Sequence, residues 1–148
     1  MPLIEGVAVK ELNFIPDERG RLMEILRRDD PFFEKFGQVY LTTAYPGIIK
    51  AWHYHLYQVD YFAVLRGMAK IALYDGRKDS ATPGILNEFF AGEYRPLLIR
   101  IPPLVFHGFK ALGKREVLVL NCPTEPYNRK DPDEYRFSPD SKEIPYVW

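Results

Sequence analysis

The chain of 148 residues has one cysteine, three histidines and no excess charge of either sign. The single cysteine, Cys122, excludes an internal disulfide and is typical of a reducing compartment. Lysine plus arginine number 20, as do aspartate plus glutamate, so the formal net charge is zero. No overall basic field attracts nucleic acid or a membrane surface, and we expect neither partner.

Long apolar runs and long helical segments are also missing. No stretch approaches the ~20 apolar residues that span a bilayer. The N-terminus, 1–5, lacks a basic region followed by an apolar run, so we expect no signal peptide and a cytoplasmic protein. Thirteen prolines argue against long helices. The one helical pattern, residues 30–36 with Pro31 early and Gly37 after it, predicts a turn or two of helix.

Short segments rich in β-branched and aromatic residues, separated by Gly, Pro and Asp, dominate the chain. They predict an all-β jelly-roll barrel in a single domain. We expect N-terminal strands and an arm over residues 1–46, the barrel core over 47–122 and an irregular tail over 123–148. Gly67 predicts a tight hairpin between two strands. The predicted strands cover residues 39–44, 48–55, 61–65, 70–74, 86–90, 97–101, 106–112 and 116–121.

The histidines fall on a spaced pattern. His53, His55 and Asp60 lie between Gly47 and Gly67 with the spacing of the first cupin motif, where Asp60 takes the usual Glu position. Alternate side chains of a strand share a face, so His53 and His55 point the same way.

A second motif brings in the third histidine. Pro102 and His107 match the core of the second cupin motif, with Leu104 where glycine is usual. We therefore expect all three histidines and Asp60 to converge inside one barrel. Such a cluster has three interpretations: hydrogen-bonded structural histidines, a transition-metal site, or metal-free acid–base catalysis.

Four segments, in order along the chain, resemble the dTDP-4-dehydrorhamnose 3,5-epimerases. Residues 17–20 with Glu24 match an N-terminal Asp-x-Arg-Gly motif and the Glu that follows it. Residues 47–54 resemble Val-Leu-Arg-Gly-Leu-His-Tyr, residues 75–84 resemble an Asp-to-Gly loop, and residues 101–109 resemble Ile-Pro-Pro-Gly-Phe-Ala-His-Gly-Phe. The resemblance implies a cupin homodimer that acts on a nucleotide-linked 4-keto-6-deoxysugar, with no cofactor.

The resemblance also implies roles for single residues. His53 stands where the family keeps its catalytic base. Arg19 and Glu24 stand where a neighbouring subunit helps to hold the nucleotide. Lys50 replaces an arginine that meets the diphosphate, although strict strand alternation would turn it away from His53 unless the strand contains a twist or bulge.

Several family positions are changed. Asp60 stands where the family has its catalytic lysine. The position of the family's catalytic tyrosine falls near Val119 or Leu120. The aspartate that pairs with the base histidine lies beyond Trp148. Thr42 and Tyr40, or their neighbours, replace an Asn and a Gln on the nucleotide side.

We therefore expect an epimerase in which His53 is the base and Asp60 its carboxylate partner. His55 and His107 would contact the sugar ketone or relay protons, and Trp52 or Tyr54 could stack on the ligand. Three alternatives stay open. Residues 52–55 also resemble the paired histidines of sugar-nucleotide 3,4-ketoisomerases. A metal cupin would use His53, His55, Asp60 and His107, and a non-catalytic sugar-binding cupin would keep only the fold.

Overall fold

The computed structural model describes residues 1–148, and every regular element in it is a strand. Two five-stranded antiparallel sheets face each other, and a separate two-stranded hairpin lies near the N-terminus. This confirms the predicted all-β jelly-roll barrel. The strands are β1 Ala8–Glu11, β2 Phe14–Asp17, β3 Gly20–Met23, β4 Tyr40–Ala44, β5 Ile49–Tyr54, β6 Asp60–Arg66, β7 Met68–Asp75, β8 Leu86–Gly92, β9 Leu97–Ile101, β10 Val105–Leu112, β11 Val117–Asn121 and β12 Tyr135–Arg136.

The first sheet has the order β1-β9-β6-β11-β4, and the second has the order β12-β5-β10-β7-β8. Their inner faces enclose one apolar core of 16 buried residues, most of them branched aliphatics and alanines. In β11, Val117 and Val119 are fully buried while Leu118 and Leu120 between them are partly exposed. This period-2 pattern is what a strand with one face on the core requires.

The chain ends cover the outer faces of both sheets. Five consecutive residues of β6, from Asp60 to Val64, are buried, because Tyr61 and Ala63 lie under the N-terminal arm. On the other sheet, Trp52 is fully buried against Tyr146 and Trp148 of the C-terminal tail. Each sheet is therefore sandwiched between the barrel core and a terminal segment.

The helix predicted over residues 30–36 is wrong. The segment forms turns, with a hydrogen bond from the amide of Phe33 to the carbonyl of Asp30 (3.0 Å). Phe32 packs on Tyr61 with ring centroids 6.4 Å apart, and Lys10 holds Asp30 at 2.8 Å. These tertiary contacts fix an irregular path for a segment too short to sustain a helix by itself.

The hairpin predicted at Gly67 is also wrong. Gly67 does adopt the left-handed conformation of a turn (φ 72°), but β6 and β7 belong to different sheets. Gly67 therefore turns the chain around a corner of the barrel. The structure contains no helix with the length and hydropathy needed to cross a membrane.

Candidate active site

A cavity of about 1090 Å³ opens between the sheets, beside β4 and β5. Its walls include Lys50, His53, His55 and His107, four of the seven residues singled out from the sequence. Asp60 lies behind the histidines and is 1% exposed. The volume matches that of sites for cofactor-sized or drug-sized ligands.

A bulge in β5 turns Lys50 and His53 to the same cavity. His53 pairs with His107 of β10 and Lys50 pairs with Phe109, so three residues of β5 span the length of two on β10. The extra residue cancels the strand alternation that would otherwise point Lys50 away from His53. The bulge needed to turn Lys50 toward His53 is therefore present in β5.

Asp60 lies between His55 and His107. Its Oδ2 atom is 3.0 Å from Nε2 of His55 and 3.2 Å from Nε2 of His107. The expected pairing of Asp60 with His53 is therefore wrong. Asp60 opens β6 in the sheet opposite β5, and its carboxylate meets His55, just beyond the end of β5, and His107 on β10.

The second nitrogen of each of these two rings is also engaged. Nδ1 of His55 faces the carbonyl of Asp133, and Nδ1 of His107 lies 3.1 Å from the carbonyl of Val105. Carbonyls only accept hydrogen bonds, so both Nδ1 atoms carry protons. Two neutral rings would then direct both Nε2 lone pairs at the carboxylate, so the cluster needs a cation, either a proton or a metal ion.

The electrostatics of the cluster favour charge separation. Burial works against the charged form of His55, but the hydrogen bond and negative charge of Asp60 outweigh it and raise the pKa of His55. Burial alone would raise the pKa of Asp60, but the two imidazoles beside it hold that pKa well below its usual range.

His53 differs from the other two histidines because neither of its ring nitrogens has a hydrogen-bond partner within the protein. It lines the cavity, with its ring centroid 6.1 Å from that of His107. Burial lowers the pKa of His53 to about 3, helped by the positive charges of His107, Arg136 and His55. The negative charge of Asp60 acts in the opposite direction but is outweighed, so the ring is a neutral base at pH 7.

Three polar residues that hold the cluster were missed by the sequence argument. Gln58 and Asn121 donate to Oδ1 of Asp60 at 2.7 and 2.9 Å. The carboxylate of Asp133 accepts the backbone amides of residues 56–58. Asp133 lies more than 70 residues from that loop, and no local motif reveals the contact.

The remaining predicted residues lie elsewhere. The side chain of Arg19 is 82% exposed at the tip of the β2–β3 hairpin and pairs with Asp17, while Glu24 pairs with Arg27. Neither reaches the cavity of its own protomer. Trp52 and Tyr54 pack against aromatic residues of the C-terminal tail, so the expectation that they stack on a ligand is wrong.

One group of side chains fits a metal ion. The donor atoms of His55, Asp60 and His107 lie within 4.8 Å of one another. Oδ2 of Asp60 is buried and receives no hydrogen bond of normal geometry. Its 3.0 and 3.2 Å separations from the two nitrogens match neighbouring ligands of an octahedral ion with bonds of ~2.1 Å. His53 lies outside this group, contrary to the four-ligand set expected from the sequence.

Comparison with known proteins extends over nearly the whole chain. The family model for the polysaccharide biosynthesis C-terminal domain matches residues 15–135. The "Probable low-salt glycan biosynthesis epimerase Agl13" of Haloferax volcanii is 42% identical over 100% of this chain and 96% of its own length. The "Spore coat polysaccharide biosynthesis protein SpsL" of Bacillus subtilis is 40% identical over 99% and 97%.

A solved structure is also similar to this chain over nearly its whole length. The crystal structure of a dTDP sugar isomerase from Desulfovibrio desulfuricans G20 superimposes with a TM-score of 0.92 at 38% identity, covering 98% of this chain and 92% of that one. The barrel and its relatives define an enzyme of the epimerase and isomerase class. The chain belongs to the polysaccharide biosynthesis C-terminal domain family, and the resemblance inferred from the sequence is confirmed.

Proposed function

We propose that the chain epimerises a nucleotide-linked 4-keto-6-deoxysugar, with His53 removing a proton from the carbon beside the ketone. The observation that carries this proposal is that the ring nitrogens of His53 have no hydrogen-bond partner within the protein. His53 is the one cavity histidine with no hydrogen-bond partner, and its low pKa keeps the ring unprotonated. His55 and His107 have both ring nitrogens engaged, which leaves neither a nitrogen free for the ketone.

Proton removal beside a ketone also needs a positive group for the developing enolate. Lys50 lines the same cavity, and its ammonium donates one hydrogen bond, to Oγ1 of Thr42 at 3.0 Å. An ammonium has three protons, so two remain for the substrate. Lys50 therefore binds the negative charge of the substrate, while Asp60 and His107 act as positioning residues that keep the floor of the cavity rigid.

Two observations support the proposed substrate class: the size of the cavity and the activity named for a relative. One relative at 38% identity is a dTDP sugar isomerase, and the cavity is large enough for a nucleotide sugar. No cofactor takes part in this mechanism. We further propose that the enzyme works in the cytoplasm, where a free Cys122 stays reduced.

We also propose a homodimer with shared sites. The β2–β3 hairpin forms a sheet of its own and exposes the cross-strand pair Ile15 and Leu22 at 59% and 57%. A two-stranded hairpin is marginal in water, so a covering surface is needed. A second copy of the chain supplies that surface and receives Arg19 and Glu24 at its cavity.

The direct test is solvent-deuterium exchange into a panel of 4-keto sugar nucleotides, followed by mass spectrometry. Deuterium should enter the substrate at a carbon beside the ketone at a rate that depends on enzyme concentration. No exchange into any member of the panel by metal-free protein that binds dTDP would overturn the proposed reaction.

A second candidate function rests on the close approach of the donor atoms of His55, Asp60 and His107. A metal cupin would hold an ion through His55, Asp60 and His107, and the ion would polarise a substrate carbonyl. Elemental analysis of the purified protein separates the two candidates, since only the metal cupin should carry near-stoichiometric transition metal.

A further inference from the structure

The buried amide of Asn121 fixes the direction of a hydrogen-bond chain that ends in the cavity. Its Oδ1 accepts the backbone amide of Tyr61 at 3.0 Å. Its Nδ2 then donates its two protons, one to Oδ1 of Asp60 and one to the hydroxyl of Tyr40, each at 2.9 Å. Reversing the amide would place Oδ1 against a carboxylate and Nδ2 against an N–H, so this orientation is the only satisfied one.

Tyr40 is therefore an acceptor in its one hydrogen bond with the protein. A phenol has one proton and can accept as well as donate, so the Tyr40 proton remains unused. Tyr40 lines the same cavity as His53, and its proton is free for a ligand there.

Tyr40 and His53 line that cavity from strands of two different sheets. Lys50 of β5 donates a hydrogen bond to Thr42 of β4 across the gap between the sheets, so these two residues lie opposite each other. From Thr42, Tyr40 is two residues along β4 on the same face. From Lys50, His53 is three residues along the bulged β5, and both residues line the cavity. A sugar ring held between the strands presents one face to each residue.

We propose that Tyr40 is the proton donor that completes inversion at the carbon from which His53 takes its proton. This inference rests on the proposed function and names its second catalytic residue. His53 takes the proton, and the electrons of the C–H bond move into the enolate. The Tyr40 proton then adds to the same carbon from the opposite face, and the enolate returns to a ketone. The tyrosinate regains a proton from solvent, and the imidazolium of His53 loses one to solvent.

The surroundings keep Tyr40 in the donor form. Burial raises its pKa to about 12, and the negative charges of Asp60 and Glu134 act in the same direction. The phenol is thus protonated at neutral pH and still more acidic than a carbon beside a ketone. Tyr40 also occupies β4 directly beside Asn121 of β11, while Val119 of β11 is buried in the barrel core.

The test is Tyr40→Phe, followed by two rates in deuterated water. Deuterium should still enter the recovered substrate within a few-fold of the wild-type rate, because His53 can exchange its proton with solvent and return it to the same face. Formation of the inverted product should fall by about 100-fold or more, the usual contribution of a general acid. Tyr94→Phe, on a turn outside the cavity with Tyr94 88% exposed, is the matched control.

Tyr57 and Tyr127 are the other two tyrosines that line the cavity. Three outcomes would overturn the assignment: product formation at the wild-type rate, an equal fall in both rates, or the same loss from Tyr57→Phe or Tyr127→Phe instead. Absence of exchange in the wild type would refute the proposed function itself, so the two failures are distinguishable. If Tyr40→Phe folds poorly, 3-fluorotyrosine at position 40 preserves the hydroxyl. The alkaline limb of inversion should then move to lower pH, and an unmoved limb would contradict the proposal.

Discussion

Nε2 of His55 and Oδ2 of Asp60 lie 3.0 Å apart at the wall of the cavity, and His107 approaches the same oxygen from β10. Both imidazoles have their Nδ1 protons committed to carbonyls. The positive charge that this arrangement requires is a proton in the proposed epimerase and a metal ion in the metal cupin.

Asp60→Asn separates these two states. In the epimerase, metal content stays negligible before and after the change, and activity falls with a shifted pH profile, because His55 loses the carboxylate that raises its pKa. Elemental analysis measures the metal content of the wild type and of Asp60→Asn, and pH–rate profiles measure their activities. A wild type with near-stoichiometric metal that the variant loses together with activity would favour the metal cupin. An unaltered variant would remove Asp60 from both mechanisms.

His53→Ala should abolish deuterium exchange into the substrate, because no other cavity histidine has a free ring nitrogen. His53 makes no side-chain hydrogen bond within the protein, so the melting temperature should stay within a few degrees of the wild type. Exchange is followed by mass spectrometry and folding by calorimetry. Exchange at the wild-type rate would remove His53 from the mechanism.

The strands of the barrel and the convergence of the histidines could be predicted from the sequence, because alternation and motif spacing are local signals. All eight predicted strands are present, and Leu97–Ile101 has the predicted bounds. At Leu104, where the motif has glycine, the backbone adopts φ 65°. The motif therefore specified a backbone shape that even leucine has to follow.

The partners of the site residues could not be predicted, because they depend on which sheet each strand joins. Gly67 marks a turn in the sequence, but only the fold shows that β7 leaves the sheet of β6. For the same reason, Asp60 meets His55 and His107 and not His53. The direction of the Tyr40 proton depends on Asn121, which is 81 residues away.

The stability of the protein should depend on pH through His53. The pKa of His53 is about 3 in the folded protein, against an ordinary value of 6.5. Between these limits the unfolded chain binds a proton that the folded chain does not. Stability should therefore rise with pH over this range, by up to about 1.4 kcal/mol per unit from this group. Denaturant unfolding at pH 4.5–7 should show a weaker slope for His53→Asn than for the wild type. Parallel slopes would mean that His53 titrates normally in the folded protein.

Arg19→Ala should weaken dTDP binding by about 1.5–3 kcal/mol, the value of a charge-assisted hydrogen bond. The loss should shrink at high salt, where the wild-type contact is itself screened. Titration calorimetry at low and high salt measures both effects. Arg115→Ala, which removes an exposed arginine paired with Glu93, is the control and should bind normally. Equal binding by both variants would leave Arg19 as a turn residue paired with Asp17.

Shared sites make a stricter prediction for mixed dimers. If Arg19 of one protomer serves the cavity of the other, Arg19→Ala and His53→Ala protomers are each impaired alone. In a heterodimer of the two, one cavity combines an intact His53 with an intact Arg19 from its neighbour. Mixing equal amounts under conditions of subunit exchange should therefore restore about a quarter of wild-type sites in a twofold dimer. Light scattering at micromolar concentration should show a dimer throughout. A monomer that binds nucleotide at full strength, or a mixture no more active than its components, would show that each cavity is complete within one chain.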